Sequence, residues 1–188
     1  MDAIEAIRTR RSVRSFLDRP VERALIEDLI VDASHAPFTP IAKTGAWHFT
    51  AICGRKRLAG YGERALAYAR EHRPQLAGYE WTERAGFSVF HGATAGFVIS
   101  GRAGLPSELE ECTRAGQIFQ IAVHARGLGE CWVGSPMLWL QDAATRAEFG
   151  IPEGWLPMAA FALGWADPAA ALAPPAPRPP HLVAWVDD

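Results

Sequence analysis

ECTRAGQIFQIAVHARGLGECWVGS, residues 111–135, holds a helix, its stop and a strand in one stretch. Ala115, Ile118, Phe119, Ala122 and Val123 recur at helical spacing, and Pro106 and Ser107 stand where such a helix opens. The periodicity predicts a long buried helix through about Arg126. GLG at 127–129 stops it, and ECWVG at 130–134 reads as a strand. These glycines end a helix rather than open one. They are therefore a poor phosphate loop, and no strand, Gly-rich turn and helix of a dinucleotide fold is found in the chain.

Upstream, Asp2 caps a short helix whose Ile4 and Ile7 are expected to face inward. Residues 22–35 place Leu25, Ile26, Leu29, Ile30 and Ala33 at helical spacing. APFTPIAKTGA at 36–46 reads as a loop, WHFTAIC at 47–53 as a strand, and 55–73 as a charged helix ended by Pro74. Tyr79, Trp81, Phe87 and Phe90 suggest a helical lid over 75–92. TAGFVISG at 94–101 suits a buried strand. Downstream, a short helix is expected over 141–149 and a last core strand over 156–166. Six prolines between Asp167 and Pro180 require an extended tail along a surface. The crossover connections suggest three layers.

Composition narrows the function. The chain has 188 residues, 49% hydrophobic and 21% charged, enough for one domain with a substantial core. Nineteen Lys and Arg against 21 Asp and Glu give a net charge of -2, which argues against a nucleic-acid binder. No apolar run reaches membrane-spanning length. Cys53, Cys112 and Cys131 lack zinc-ligand spacing and predict neither a metal site nor a disulfide framework. The expectation is a soluble, cytoplasmic protein without nucleic-acid or membrane partners.

Four arginines, Arg8, Arg10, Arg11 and Arg14, crowd into RTRRSVR at 8–14. Three readings compete: a solvated helix end favoured by the helix dipole, a basic patch for a polyanion, and a clamp for one small phosphate ligand. Four cations in seven residues are dense for capping alone. No second basic stretch supports a patch. In an extended segment, Arg10, Ser12 and Arg14 would point to one side, and their donors match a phosphate's oxygens.

AIRTRRSVRSFLDRPV resembles the N-terminal signature of the FMN-dependent nitroreductase family, whose Arg-x-Ser-x-Arg pattern grips the FMN phosphate and ribityl chain. DASHAPFTPIAKTGAWHF is similar to that family's Ala-Pro-Ser loop and Trp-x-Phe strand. ECTRAGQIFQIAVHARGLGECWVGS resembles its core helix, Gly-Leu-Gly stop and Cys-Trp-Ile/Val-Gly strand. MAAFALGWADP is like its closing strand, and APRPPHLV like its Lys-x-Arg-x-Pro tail. The resemblance runs in order from Ile4 to about Val183. It implies an α+β, three-layer fold with a mostly antiparallel sheet flanked by helices. It also implies a single domain over 1–188, a homodimer with two FMN sites at the interface, and a 167–188 tail on the partner subunit.

By that resemblance Arg10, Arg11, Ser12, Arg14 and Arg178 would hold the phosphate. Ala176 stands where the family has a tail lysine. Pro37, Phe38 and Thr39 would reach the partner's flavin, with Phe38 in place of a serine. The following family residues are replaced by Lys43 to Ala46, of which Lys43 or Thr44 would supply a hydrogen bond to the flavin edge. Val133, Gly134 and Ser135 would lie beside the ring, with Gly134 allowing close approach. Gln117 matches a family glutamine with a packing role. Trp132, Trp155 and Trp165 are read as core, His124 as structural or surface, and Cys131 as a small buried hydrophobe.

The implied activity is hydride transfer from NAD(P)H, as co-substrate, to FMN, and then to a nitro compound, quinone or similar acceptor by a ping-pong mechanism. No side-chain nucleophile or metal is called for. Two rivals stand: a specialised flavin-dependent enzyme acting on a small metabolite or modified peptide (or destroying flavin with oxygen), and a non-catalytic flavin-storage module.

Overall fold

The computed structural model describes residues 1–39, 45–73, 82, 84–104 and 107–170. Among these described residues ten elements follow in order. They are α1 (Ala3–Thr9), α2 (Arg23–Ala33), β1 (His48–Cys53), α3 (Arg55–His72), β2 (Ala95–Arg102), α4 (Glu108–Ala125), β3 (Gly129–Trp132), α5 (Met137–Leu140), α6 (Ala143–Glu148) and β4 (Trp155–Gly164). The strands form one sheet in the order β1-β2-β4-β3, and every neighbouring pair is antiparallel. The fold is α+β.

Strand side chains alternate between faces, so each strand feeds two cores. Phe97, Ile99, Phe161 and Leu163 pack with Ile26 and Leu29 of α2 and Phe119 and Val123 of α4. Val98, Ala160 and Ala162 pack with Leu58 and Ala65 of α3 and Trp139 and Leu140 of α5. Helices cover both faces, which gives the expected three layers and explains why β2 is buried on both sides. At the centre Phe97 stacks on Phe119 with ring centroids 4.3 Å apart, and Phe119 meets Phe161 at 5.0 Å.

The N-terminal segment is stitched along this sheet. Val13 N–H donates to Glu130 O at 2.7 Å, and Leu17 N–H to Trp165 O at 2.9 Å. Ser12 and Phe16 bridge to Glu130 and Ala166. Two glycines make room. A Cβ on Gly129 would lie 2.8 Å from Val13, and one on Gly164 would lie 2.9 Å from Phe16.

Several expectations need correction. Ile4 and Ile7 face outward, each 56% exposed, because α1 turns Ala6 toward its neighbours. The short helix expected over 141–149 is α6, capped by Asp142, which accepts from Thr145 N–H at 3.0 Å, while α5 just before it has no counterpart in the expectation. Residues 84–93 form turns rather than a lid helix, and Phe90 enters the core. Tyr79 and Trp81 lie outside the described residues, as does the tail beyond 170. Gln117 is exposed, while Gln120 on the same helix is buried. Trp132, Trp155 and Trp165 are half-buried at the rims of the two cores.

Candidate functional site

Asp2 accepts from Glu5 N–H at 2.9 Å and starts α1. At its other end Arg10 caps the helix, its N–H reaching Ala6 O at 3.0 Å. Thr9 Oγ1 is 2.9 Å from His124 Nε2, which fixes this end of α1 to the end of α4. The chain then runs extended past β3, with Val13 buried and Arg14 exposed. The arginine cluster is therefore laid against the strand that follows the Gly-Leu-Gly stop.

Arg10 already has a partner. Its Nη1 donates to Glu130 Oε1 at 2.8 Å, and Gln120 Nε2 donates to Glu130 Oε2 at 2.8 Å. The Glu130 side chain is 1% exposed. Burial pushes its carboxyl above the usual range, against the opposing pull of the Gln120 bond and of Arg10 and Arg14. Arg10 lies beside β3 through this pair, and Arg14 follows Val13, whose N–H is bonded to Glu130 O.

Arg14 lines a cavity of about 620 Å³ with Arg84, Gly86, Phe87, Ser88 and His91. That volume is within the range of small-molecule sites, about 300–1,000 Å³. His91 has φ of 54°, a left-handed conformation uncommon outside Gly, Asn, Asp and His. Burial and then the charge of Arg14 lower the His91 pKa, so the imidazole is neutral at pH 7. Cys131, buried beside Arg14, has its thiol pushed up by desolvation, which marks it as packing rather than nucleophile.

Beyond β3, Val133 is buried and donates its N–H to Ala160 O at 2.8 Å. Gly134 is exposed, and a Cβ there would meet nothing within 4 Å. Its φ lies outside the positive region. Neither strain nor packing within this chain requires glycine at 134. Ser135 is buried.

The loop of Pro37, Phe38 and Thr39 is anchored elsewhere. Thr39 N–H donates to Glu111 Oε1 at 2.9 Å, and the Thr39 hydroxyl bonds to the same oxygen. Ser107 Oγ joins them at 3.0 Å. Burial acts to raise the Glu111 pKa, but the Thr39 and Ser107 bonds outweigh it and the carboxyl is held below the ordinary value. Phe38 is 48% exposed and meets Trp47 edge-on at 5.6 Å. Glu111 opens α4 and His124 closes it. Thirteen residues at 1.5 Å rise put roughly 20 Å between the two anchor points. The loop and the arginine segment thus lie at opposite ends of one helix.

The structure brings Arg10, Ser12 and Arg14 to β3, with Val133, Gly134 and Ser135 following on the same chain. It does not bring Pro37, Phe38 and Thr39 to them within the protomer. Lys43 and Arg178 lie outside the described residues. Glu130, Gln120, Glu111 and Arg84 were not singled out from the sequence. An acidic residue inside an otherwise apolar strand was the available signal for Glu130. Among the described residues no cluster of His, Cys, Asp and Glu could hold a metal ion, and no helix is long and apolar enough to cross a membrane.

Comparison with known proteins agrees with this architecture. The model of the nitroreductase family matches residues 7–165. A protein of Methanothermobacter thermautotrophicus, provisionally named an NADH dehydrogenase/NAD(P)H nitroreductase, is 31% identical over 169 residues, covering 88% of this chain and 78% of that protein. Among solved structures, an FMN-bound nitroreductase from Bacteroides fragilis superposes with a TM-score of 0.84 at 21% identity, over 100% of both chains. One from Desulfitobacterium hafniense, also with bound FMN, gives 0.83 at 20% identity, again over 100% of both. The chain belongs to the nitroreductase family.

Proposed function

We propose that this chain is a single-domain FMN-dependent oxidoreductase that takes hydride from NAD(P)H and reduces a nitro compound, quinone or similar acceptor. The observation that carries this reading is the cationic cavity at Arg14 beside a strand that runs on to a bare, exposed glycine at 134. The donor set fits FMN. Arg14 supplies charge for a phosphate or for the polar edge of a flavin. Ser12 and Arg11, half-buried on the same extended segment, add donors. Gly134 leaves the strand end open to a flat ring. FMN, when bound, supplies the hydride chemistry, and the protein supplies binding, orientation and electrostatics. NADH or NADPH as donor is supported by the name of the M. thermautotrophicus relative.

A homodimer completes this site. Pro37, Phe38 and Thr39 are too far along α4 to join the arginines of their own chain, so a second copy would deliver them. Ile4, Ile7, Val31, Phe38 and Leu109 are among the large apolar side chains left exposed on one protomer, and a second copy would cover some of them. Lys43 and Arg178 would add to the site, and the 167–188 tail would lie on the partner. Donor and acceptor would use one open face in turn.

Two measurements test the reading. Arg14→Ala should weaken FMN binding about ten- to a hundred-fold, as loss of a charge-assisted hydrogen bond predicts; unchanged affinity would remove the cavity from the account. Steady-state kinetics with a quinone should give parallel double-reciprocal lines, and intersecting lines would exclude a shared face.

A further inference from the structure

We propose that Glu130, fixed by Gln120, is a positioning residue that aims Arg10 at the anionic group of the bound cofactor. The inference rests on the FMN reading above. Glu130 lies on β3 with both carboxylate oxygens taken, one by Arg10 and one by Gln120, each at 2.8 Å. Gln120 is itself buried on α4. Glu130 is 1% exposed and tied to buried Gln120, whereas the Arg10 side chain is 25% exposed, so the carboxylate is the fixed member of the pair and the arginine follows it.

The backbone of the same residue does related work. Glu130 O accepts Val13 N–H, and Glu130 bridges Ser12. Glu130 therefore sets both the path of the 10–14 segment and the orientation of its first guanidinium.

Arg10 remains able to bind a second anion. A guanidinium has five N–H donors in a fixed fork. Among the described residues Arg10 spends one group, Nη1, on Glu130. The side chain is 25% exposed, so Arg10 is not sealed in the core with Glu130. Orientation of a binding group by a buried carboxylate behind it is the arrangement that tunes metal-ligating histidines, and its removal there costs tenfold or more in affinity.

The charges divide accordingly. Arg10 is offset locally by Glu130, so its contribution to an incoming dianion is geometric. Arg14 carries a charge that Glu130 shares less directly, with no hydrogen bond to that carboxylate among the described residues. The two arginines would then differ in what they give the ligand.

The test compares FMN with riboflavin, which lacks the phosphate, by quenching of flavin fluorescence on apo protein. The wild type should bind FMN more tightly than riboflavin. Glu130→Ala should shrink that preference about tenfold while leaving riboflavin affinity unchanged, and Glu130→Gln, which keeps an acceptor for Arg10, should restore part of it. Should Glu130→Ala fail to fold, Gln120→Met releases the same carboxylate without touching Arg10, and a loss of about threefold or more confined to FMN is expected. Equal losses for both flavins, no loss, or tighter FMN binding in the variants would overturn the proposal, since each means that Glu130 stabilises the core or withholds Arg10. A wild type with no preference for FMN would sink the phosphate reading itself and this inference with it.

Discussion

Gly129 stands opposite Gly164 across the β3–β4 ladder, and each is bare beneath a side chain of the N-terminal segment. Val13 seats over the first and Phe16 over the second. The pair forms a socket, and the extended segment it receives carries half-buried Ser12 and exposed Arg14. The position of the candidate site thus depends on two bare backbone positions in the sheet.

Gly129→Ala should therefore act twice. Its Cβ would overlap three atoms of Val13 at 2.8 Å. Overpacking of this kind costs about 1–3 kcal/mol. Urea unfolding should show that loss, and FMN affinity should fall because the arginine segment is pushed off β3. Full FMN affinity in a destabilised variant would show that the segment's seat does not matter for binding.

Some of this arrangement is legible in the sequence and some is not. The α4–β3 stretch and β2 are strongly periodic or continuously apolar, so the central helix and strand could be placed within two residues. MLWL at 137–140 is too short for a period to declare itself, and α5 was missed. Ile4 and Ile7 have the spacing of an inward face, yet pattern alone does not say whether the apolar face meets the same chain or another. Glu130 and Arg10 lie 120 residues apart. No local spacing can announce a partnership made by tertiary packing. The order of the five family-like motifs carried the rest, including the loop at 37–39, whose anchor on Glu111 only the fold reveals.

The two buried glutamates should titrate with opposite sign. The folded-state pKa of Glu111 is depressed, so its stabilisation is present above the ordinary value of about 4.5 and is lost as pH falls through the lower folded value. The Glu130 pKa is raised, so its folded form takes a proton more readily, and stability increases as pH falls from that raised value toward about 4.5. Urea unfolding at a series of pH values should show Glu111→Gln removing acid sensitivity below about 4.5, and Glu130→Gln removing a gain above it. Identical pH profiles for both variants and the wild type would refute these assignments.

Charging the outward face of α1 tests the second copy. The double variant Ile4→Glu, Ile7→Glu alters two residues that are 56% exposed in the protomer, so the fold of one chain should tolerate it. Sedimentation should shift from twice the 20.5 kDa chain mass toward one. FMN retention should fall in step, because the 37–39 loop of the other copy would be lost. A fully flavin-loaded monomer would contradict the shared site.

Phe38 offers a specificity test. It is 48% exposed, with its ring edge-on to Trp47 rather than in the core. Phe38→Ser should cost little stability and open space over the ring site of the other copy. The ratio of kcat/KM for a bulky quinone to that for a small one should rise about tenfold. A ratio that does not move would place Phe38 away from the acceptor.

On the proposed function, this chain passes hydride from a nicotinamide to an acceptor through bound FMN. The most direct measurement is the absorbance of the FMN-loaded protein during anaerobic addition of NADH or NADPH, followed by a quinone or nitroaromatic. At least one nicotinamide should bleach the flavin band, and the acceptor should restore it. A flavin-loaded protein whose spectrum neither nicotinamide changes would contradict that function, and would favour a storage module or a specialised flavin enzyme with another donor.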